Sequence, residues 1–228
     1  CHNVEGEGGD IQKYLKAKAQ YPPPLDMGDY HVGERIKGSW LFSFLKDPTP
    51  VRTWIKVKMP TFFFTDKEVR DLTAYFEALS PTSGYEAGVN KSKDSTVAQK
   101  GAEMAGYMDC GRCHDDGQKG IEFSLASQRL RQDWIPKWLK DTRAMIPWTP
   151  MPSHWVKKGD KYTVPTKYSE IETVGDVETQ VDTLKDLIIA YNTAELDFDV
   201  SLGEGDEDEG DGEEGGEEGG DDEEEDDE

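Results

Sequence analysis

Cys110-Gly111-Arg112-Cys113-His114 is the cluster of residues best equipped for chemistry in this chain. Two thiols separated by two residues can add across the two vinyl groups of one porphyrin. The histidine directly after them can reach the metal at its centre. This C-x-x-C-H spacing is that of covalent c-type haem attachment. Other uses of a cysteine pair fit less well. A structural zinc site takes four ligands, usually from two paired clusters, and the chain has three cysteines in all. A thioredoxin-type pair expects a βαβ setting, which is not visible around it, and a disulfide scaffold is far denser in cysteine.

The chain opens with Cys1-His2, which reads as the last two residues of a second such motif. A six-coordinate haem iron needs a ligand on each face. His114 is the proximal candidate, because a neutral imidazole is a common metal ligand whose second nitrogen is usually held by a backbone carbonyl. Met151, in Trp148-Thr149-Pro150-Met151-Pro152, is the distal candidate. A thioether is a soft ligand that favours ferrous iron, so Met/His ligation raises the reduction potential. The flanking prolines fix φ and stiffen the loop. His2 and Met59, the latter in Lys58-Met59-Pro60, take the same roles in the first copy. A lone methionine is otherwise core filler. Met145 and Met27 are fallback ligands. His154 and His31 would give bis-histidine ligation, but read more simply as surface or loop histidines.

The elements that position these residues occur twice. Trp40-Leu41-Phe42-Ser43-Phe44-Leu45-Lys46-Asp47 aligns with Trp134-Ile135-Pro136-Lys137-Trp138-Leu139-Lys140-Asp141. Each stretch leads through a proline-bearing loop to Met-Pro and then to a helical pattern. In the closing helices Val69, Leu72, Tyr75, Phe76 and Leu79 match Val181, Leu184, Leu187, Ile188 and Tyr191. That spacing is one apolar stripe of an amphipathic helix, read as core packing. Thr65 or Asp66 caps the first helix and Asp176 the second. The second copy also has an opening helix, with Ser95 as cap and Val97, Ala98, Gly101, Met104, Ala105 and Met108 on its apolar side. Its longer segment between Met151 and the last helix, from Lys157-Lys158-Gly159-Asp160 through Val174-Gly175, is expected to form a turn and short extended pieces. Trp40, Phe44, Trp134, Trp138 and Trp148 are expected to wall the haem pockets, where dry aromatic contact keeps the potential high.

In this order (helix, C-x-x-C-H, aromatic segment, Met-Pro loop, closing helix) the chain resembles class I cytochrome c, twice in tandem. Cys110, Cys113, His114 and Met151 match the family's motif, as do Cys1, His2 and Met59. The first copy departs from it in lacking its first cysteine and its opening helix. The W-L-x-x-F-L-x-D-P…M-P version is similar to cytochrome domains of membrane-associated respiratory complexes. The resemblance implies a mainly α protein of two small helical domains, at 1–80 and 95–195, joined by a linker at 81–94. It implies one haem c with its iron per domain, single-electron transfer without substrate turnover, and a periplasmic or exported setting, soluble or tethered through a segment preceding Cys1.

Charge is unevenly distributed. Residues 203–228 are 18 acidic residues and 8 glycines. Setting them aside takes the net charge from −22 to −4, so the body is an ordinary, mildly acidic domain pair. The 196–228 tail is expected to be disordered. It reads either as an electrostatic docking arm for a basic redox partner, such as another cytochrome, or as a solubilising tail. Nucleic acid is an unsuitable partner, since phosphate would be repelled. No apolar run approaches the ~20 residues of a membrane span. The expected function is a dihaem carrier passing single electrons between respiratory redox partners, as a subunit or domain of a larger complex. The alternative is a dihaem enzyme, such as a peroxidase, in which one iron keeps an exchangeable ligand.

Overall fold

The computed structural model describes residue 2 and residues 32–54, 58–80, 95–114, 120–147, 149–165 and 175–191. The linker, the acidic tail, Cys1, Met27, His31 and Trp148 lie outside the described residues. The chain is mainly helical. The first unit contains α1 (Val32–Arg35), α2 (Gly38–Lys46) and α3 (Asp66–Ala78). The second contains α4 (Ser95–Tyr107), α5 (Gly111–His114), α6 (Phe123–Arg129), α7 (Trp134–Lys140) and α8 (Thr142–Met145). These are followed by β1 (Val156–Lys158), β2 (Lys161–Thr163) and α9 (Val177–Ala190).

Both closing helices begin at the expected caps. Thr65 forms a full capping box: its hydroxyl accepts from the Glu68 N–H, and the Glu68 carboxylate accepts from the Thr65 N–H at 2.8 Å. Asp176 accepts from the N–H of Thr179 at 2.9 Å. The extended pieces in the longer segment are an antiparallel hairpin, with Val156 opposite Thr163 and a two-residue loop at Gly159-Asp160.

In the second unit α4, α6 and α7 pack on α9. Their shared core includes Met104, Phe123, Ile135, Trp155, Leu184 and Leu187. At the α4–α9 crossing the backbones nearly touch: a Cβ on Gly101 would stand 2.7 Å from the Thr183 carbonyl and 2.8 Å from the Leu187 Cβ. In the first unit α1 and α2 pack on α3 around Val32, Leu41, Leu45, Val69 and Phe76. One expectation needs correction there. Tyr75 and Leu79 are not core: they are 46% and 39% exposed. In the repeat Tyr75 corresponds to Leu187, which α4 covers, and among the described residues α3 has no counterpart of α4.

The two units meet through a short backbone seam. Ile36 and Leu130 form an isolated antiparallel bridge. The Lys37 N–H donates to the Arg129 carbonyl, and the Arg131 N–H to the Arg35 carbonyl, each at 3.0 Å. The Trp40-to-Trp134 offset also carries Arg35 to Arg129, Ile36 to Leu130 and Lys37 to Arg131. Each bond therefore has its image on the other side, as in any antiparallel bridge, and here the bridge is centred on two residues that are equivalent in the repeat. Leu130 packs against the cores of both units. Lys37 is fully buried and donates its Nζ proton to the Ser127 carbonyl at 2.9 Å. Arg131 Nε donates to the Ile36 carbonyl at 3.3 Å.

Candidate functional site

The end of α4 sets up the cysteine pair. Met108 and Asp109 close the helix in a turn, with Asp109 in the left-handed region at φ 56°. An aspartate tolerates this conformation far better than a bulky residue. The chain then reverses into α5, a single turn that carries Cys113 and His114. The His114 N–H returns to the Cys110 carbonyl at 3.1 Å, so both sulfurs and the imidazole belong to one compact turn. Cys110 packs against the core and Cys113 is exposed. Burial, helped by Asp109 and Cys113, pushes the free Cys110 thiol up to about 12. It therefore carries little thiolate at neutral pH, the opposite of a redox-active or nucleophilic cysteine.

His114 is fixed from two sides. Its Nδ1–H donates to the Ile121 carbonyl at 2.8 Å, and its ring lies 4.7 Å from that of Phe123. Phe123 in turn meets Tyr191, beyond the end of α9, edge to face at 5.6 Å. A carbonyl can only accept, so Nδ1 holds the proton and Nε2 keeps its lone pair. Burial lowers the His114 pKa, against a smaller upward pull from the Ile121 bond, and so favours the neutral ring that a metal needs. Gly120 permits the fold-back. Its N–H reaches the Cys113 carbonyl, and a Cβ there would lie 2.7 Å from His114 Nδ1.

Met151 is half-buried against the same core as Cys110. Its N–H donates to Thr149 Oγ1 at 3.3 Å, and its carbonyl accepts from Thr142 Oγ1 at 3.2 Å. Thr142 is fully buried, and Ser153 Oγ lies 3.3 Å from its hydroxyl. The loop bearing the thioether is thus tied to the start of α8. A covalent haem fits these residues on three grounds: the two cysteines lie within four residues at one turn, the histidine tautomer leaves Nε2 free to ligate, and Met151 is anchored to the core that holds Cys110. Among the described residues no group of three or more His, Cys, Asp or Glu side chains converges as a metal cage.

The first unit is described less fully. Met59 packs against its core alongside Trp40, Phe64 and Leu72. His2 is half-buried. Met145 is half-buried at the end of α8. His154 is a loop residue, one of the two expected readings, but a buried one: it is 8% exposed and packs edge to face on Trp155 at 6.3 Å. Sequence reasoning passed over Trp155 itself. It is 2% exposed and donates its Nε1 proton to Gln180 Oε1 at 2.9 Å, while Gln180 Nε2 donates to the Gly175 carbonyl at 2.8 Å. This chain of bonds locks the segment after Met151 onto α9.

Of the expected pocket walls, Trp40 stacks on Phe44 at 4.7 Å and Trp134 on Trp138 at 5.3 Å. Trp40 and Trp134 also face the seam, each under an arginine of the other unit. Arg35 and Arg129 were not singled out from the sequence, although Arg35-Ile36-Lys37 and Arg129-Leu130-Arg131 stand at the same distance before their tryptophans. No known family profile, no curated protein and no solved structure matches the chain.

Proposed function

We propose that the chain is a dihaem c-type electron carrier working between respiratory redox partners outside the cytoplasm. The observation that carries this reading is the His114 bond to Ile121, which offers Nε2 as a ligand beside two cysteines on one turn. Bound haem supplies a one-electron iron couple. The residues of the chain do the rest. Cys110 and Cys113 would hold the ring covalently, His114 and Met151 would ligate its iron, and Thr142 anchors the methionine loop. Phe123, packed between His114 and Tyr191, would keep water from the imidazole. Cys1, His2 and Met59 take the equivalent roles in the first unit. With a histidine and a methionine offered to each iron, neither would present a site for substrate, so the carrier reading is preferred to a peroxidase. The acidic tail favours a basic partner, such as another cytochrome or a membrane respiratory complex.

The test is intact mass and optical spectra of protein expressed from the full-length gene with a c-type maturation system. Two covalent haems with the far-red methionine-to-ferric charge-transfer band are expected. Absence of haem would overturn the reading. A high-spin component lacking that band would favour a peroxidase with one open iron.

A further inference from the structure

Two features of the second unit stand outside the repeat, and their charges are opposite. The stretch from the Met-Pro pair to the closing helix is short in the first unit and long in the second, where it carries the hairpin β1–β2. That hairpin, Val156 to Thr163, has three lysines against one aspartate. The other feature is the run 203–228 beyond α9, with its 18 acidic residues. The hairpin is thus a basic element in a body that is acidic as a whole.

The three lysines face two ways. Successive side chains of a strand alternate between its faces. Lys157 turns toward the body, with its Nζ 3.6 Å from Asp141 Oδ2 and 5.6 Å from the Tyr162 ring centroid. Lys158 is therefore on the opposite face, and the register sets it directly across from Lys161. Both are exposed. Like charges directly opposite each other in a ladder are destabilising. Neither lysine has an ion-pair partner among the described residues, Asp160 of the loop included. By contrast Lys46, Lys67, Lys140 and Lys185 each meet a carboxylate at 3.0 Å or less. The outer face of the hairpin holds two adjacent cations that lack a counter-charge.

We propose that this face of the hairpin is the docking surface for the chain's own acidic run, residues 203–228. Charge complementarity selects the occupant, and the chain is long enough to bring it there. Trp155, the residue before β1, bonds to Gln180 near the start of α9, so the hairpin is rooted at that end of the helix. α9 has 14 residues, a length of about 21 Å at about 1.5 Å per residue. Residues 192–202 can extend to about 36 Å at about 3.3 Å per residue, which is enough to run back along the helix. Tethering makes the contact intramolecular, so a few weak pairs suffice where separate molecules would need more. The docked run relieves the repulsion between Lys158 and Lys161. It also lies beside the methionine loop, because Asp141, which accepts from the Tyr162 hydroxyl at 3.1 Å, directly precedes the Thr142 that holds the Met151 carbonyl. A basic partner must draw the run off the hairpin, so the two compete for one polyanion. The docking does not depend on the haem reading.

Salt tells a docked run from a free one by sign. A free polyanion is stretched by self-repulsion and contracts as salt screens it. A docked run is released instead, and the molecule expands. Small-angle scattering on monomeric protein from the full-length gene should show the radius of gyration rising from about 0.01 M to about 1 M NaCl, over which the screening length falls from about 30 Å to about 3 Å. In the double variant Lys158→Glu, Lys161→Glu, both at exposed positions, the radius should fall over the same range. A falling radius in the parent overturns the proposal. Carbodiimide cross-linking, which joins a carboxylate to a neighbouring amine with loss of water, locates the contact when the monomer is mapped by peptide mass. Amides between the run and Lys158 or Lys161 are expected at low salt and not at high salt. Amides spread evenly over other exposed lysines such as Lys58, Lys100 and Lys137, amides formed only between molecules, or no amides from the run at all would each overturn it.

Discussion

His114 gives its Nδ1 proton to the Ile121 carbonyl over 2.8 Å, and this bond decides which ring nitrogen faces outward. Because burial lowers its pKa, the folded haem-free chain binds a proton at His114 less readily than the unfolded chain does. The unfolded value is about 6.5. Stability from this group is therefore fully present above that value and is lost as pH falls through it toward the lower folded value. The melting temperature of haem-free protein should drop between pH 7.5 and 5.5, and His114→Gln should flatten that dependence. An equal slope in parent and variant would place the titration elsewhere.

Two glycines of one helix should respond oppositely to alanine. At Gly101 the added Cβ meets Thr183 and Leu187 at under 3 Å, whereas at Gly106 it meets nothing within 4 Å. Overpacking costs about 1–3 kcal/mol, while replacing glycine in a helix gains up to about 1 kcal/mol. Urea unfolding should show Gly101→Ala to be less stable than the parent and Gly106→Ala as stable or more so.

Gly120→Ala tests the fold-back against the proximal ring. Its Cβ would press on His114 Nδ1 and on the Cys113 carbonyl, at 2.7 and 2.8 Å. The bond to Ile121 should weaken and the imidazole should tilt. A weaker bond lowers the basicity of Nε2, so in holoprotein this should appear as a raised midpoint potential and a broadened ferric spectrum, with haem still covalently attached. A spectrum identical to that of the parent would show that the loop yields without moving the ring.

Thr142→Val removes the hydroxyl that ties down the Met151 carbonyl while nearly preserving shape. The lost bond and the unsatisfied carbonyl together should cost about 1–3 kcal/mol, measured by denaturant unfolding. In holoprotein the methionine charge-transfer band should weaken. Met151→Ala should abolish that band for the second unit and leave the first unit's band in place. Retention of both bands in Met151→Ala would exclude Met151 as a ligand.

The site's motif was legible because C-x-x-C-H is local, and the closing helices because apolar periodicity and caps are local too. A turn with short extended pieces was legible in the segment from Lys157 to Gly175, but their pairing as a hairpin at 156–163 was not. What the stripe Val69…Leu79 could not reveal is which part of its apolar side has a neighbour, since periodicity reports the amphipathic pattern and not the element that covers it. The burial of His154 in its loop was hidden for a related reason. A polar residue in a proline-flanked loop looks solvated until Trp155 and its bond to Gln180 pull the segment onto α9. The seam was hidden because a bridge of one residue pair has no period. Only the recurrence of Arg-Ile-Lys as Arg-Leu-Arg marked it.

The reciprocal bonds between residues 35–37 and 129–131 have the form of a dimer interface written into a single polypeptide. In a true homodimer every substitution at such an interface strikes twice, once from each side. Here each half can change alone, and it has: Lys37 stands where its image is Arg131. A symmetric contact can thus be kept for its packing while its two ends grow chemically different, which gives a repeated chain the means to have a front and a back.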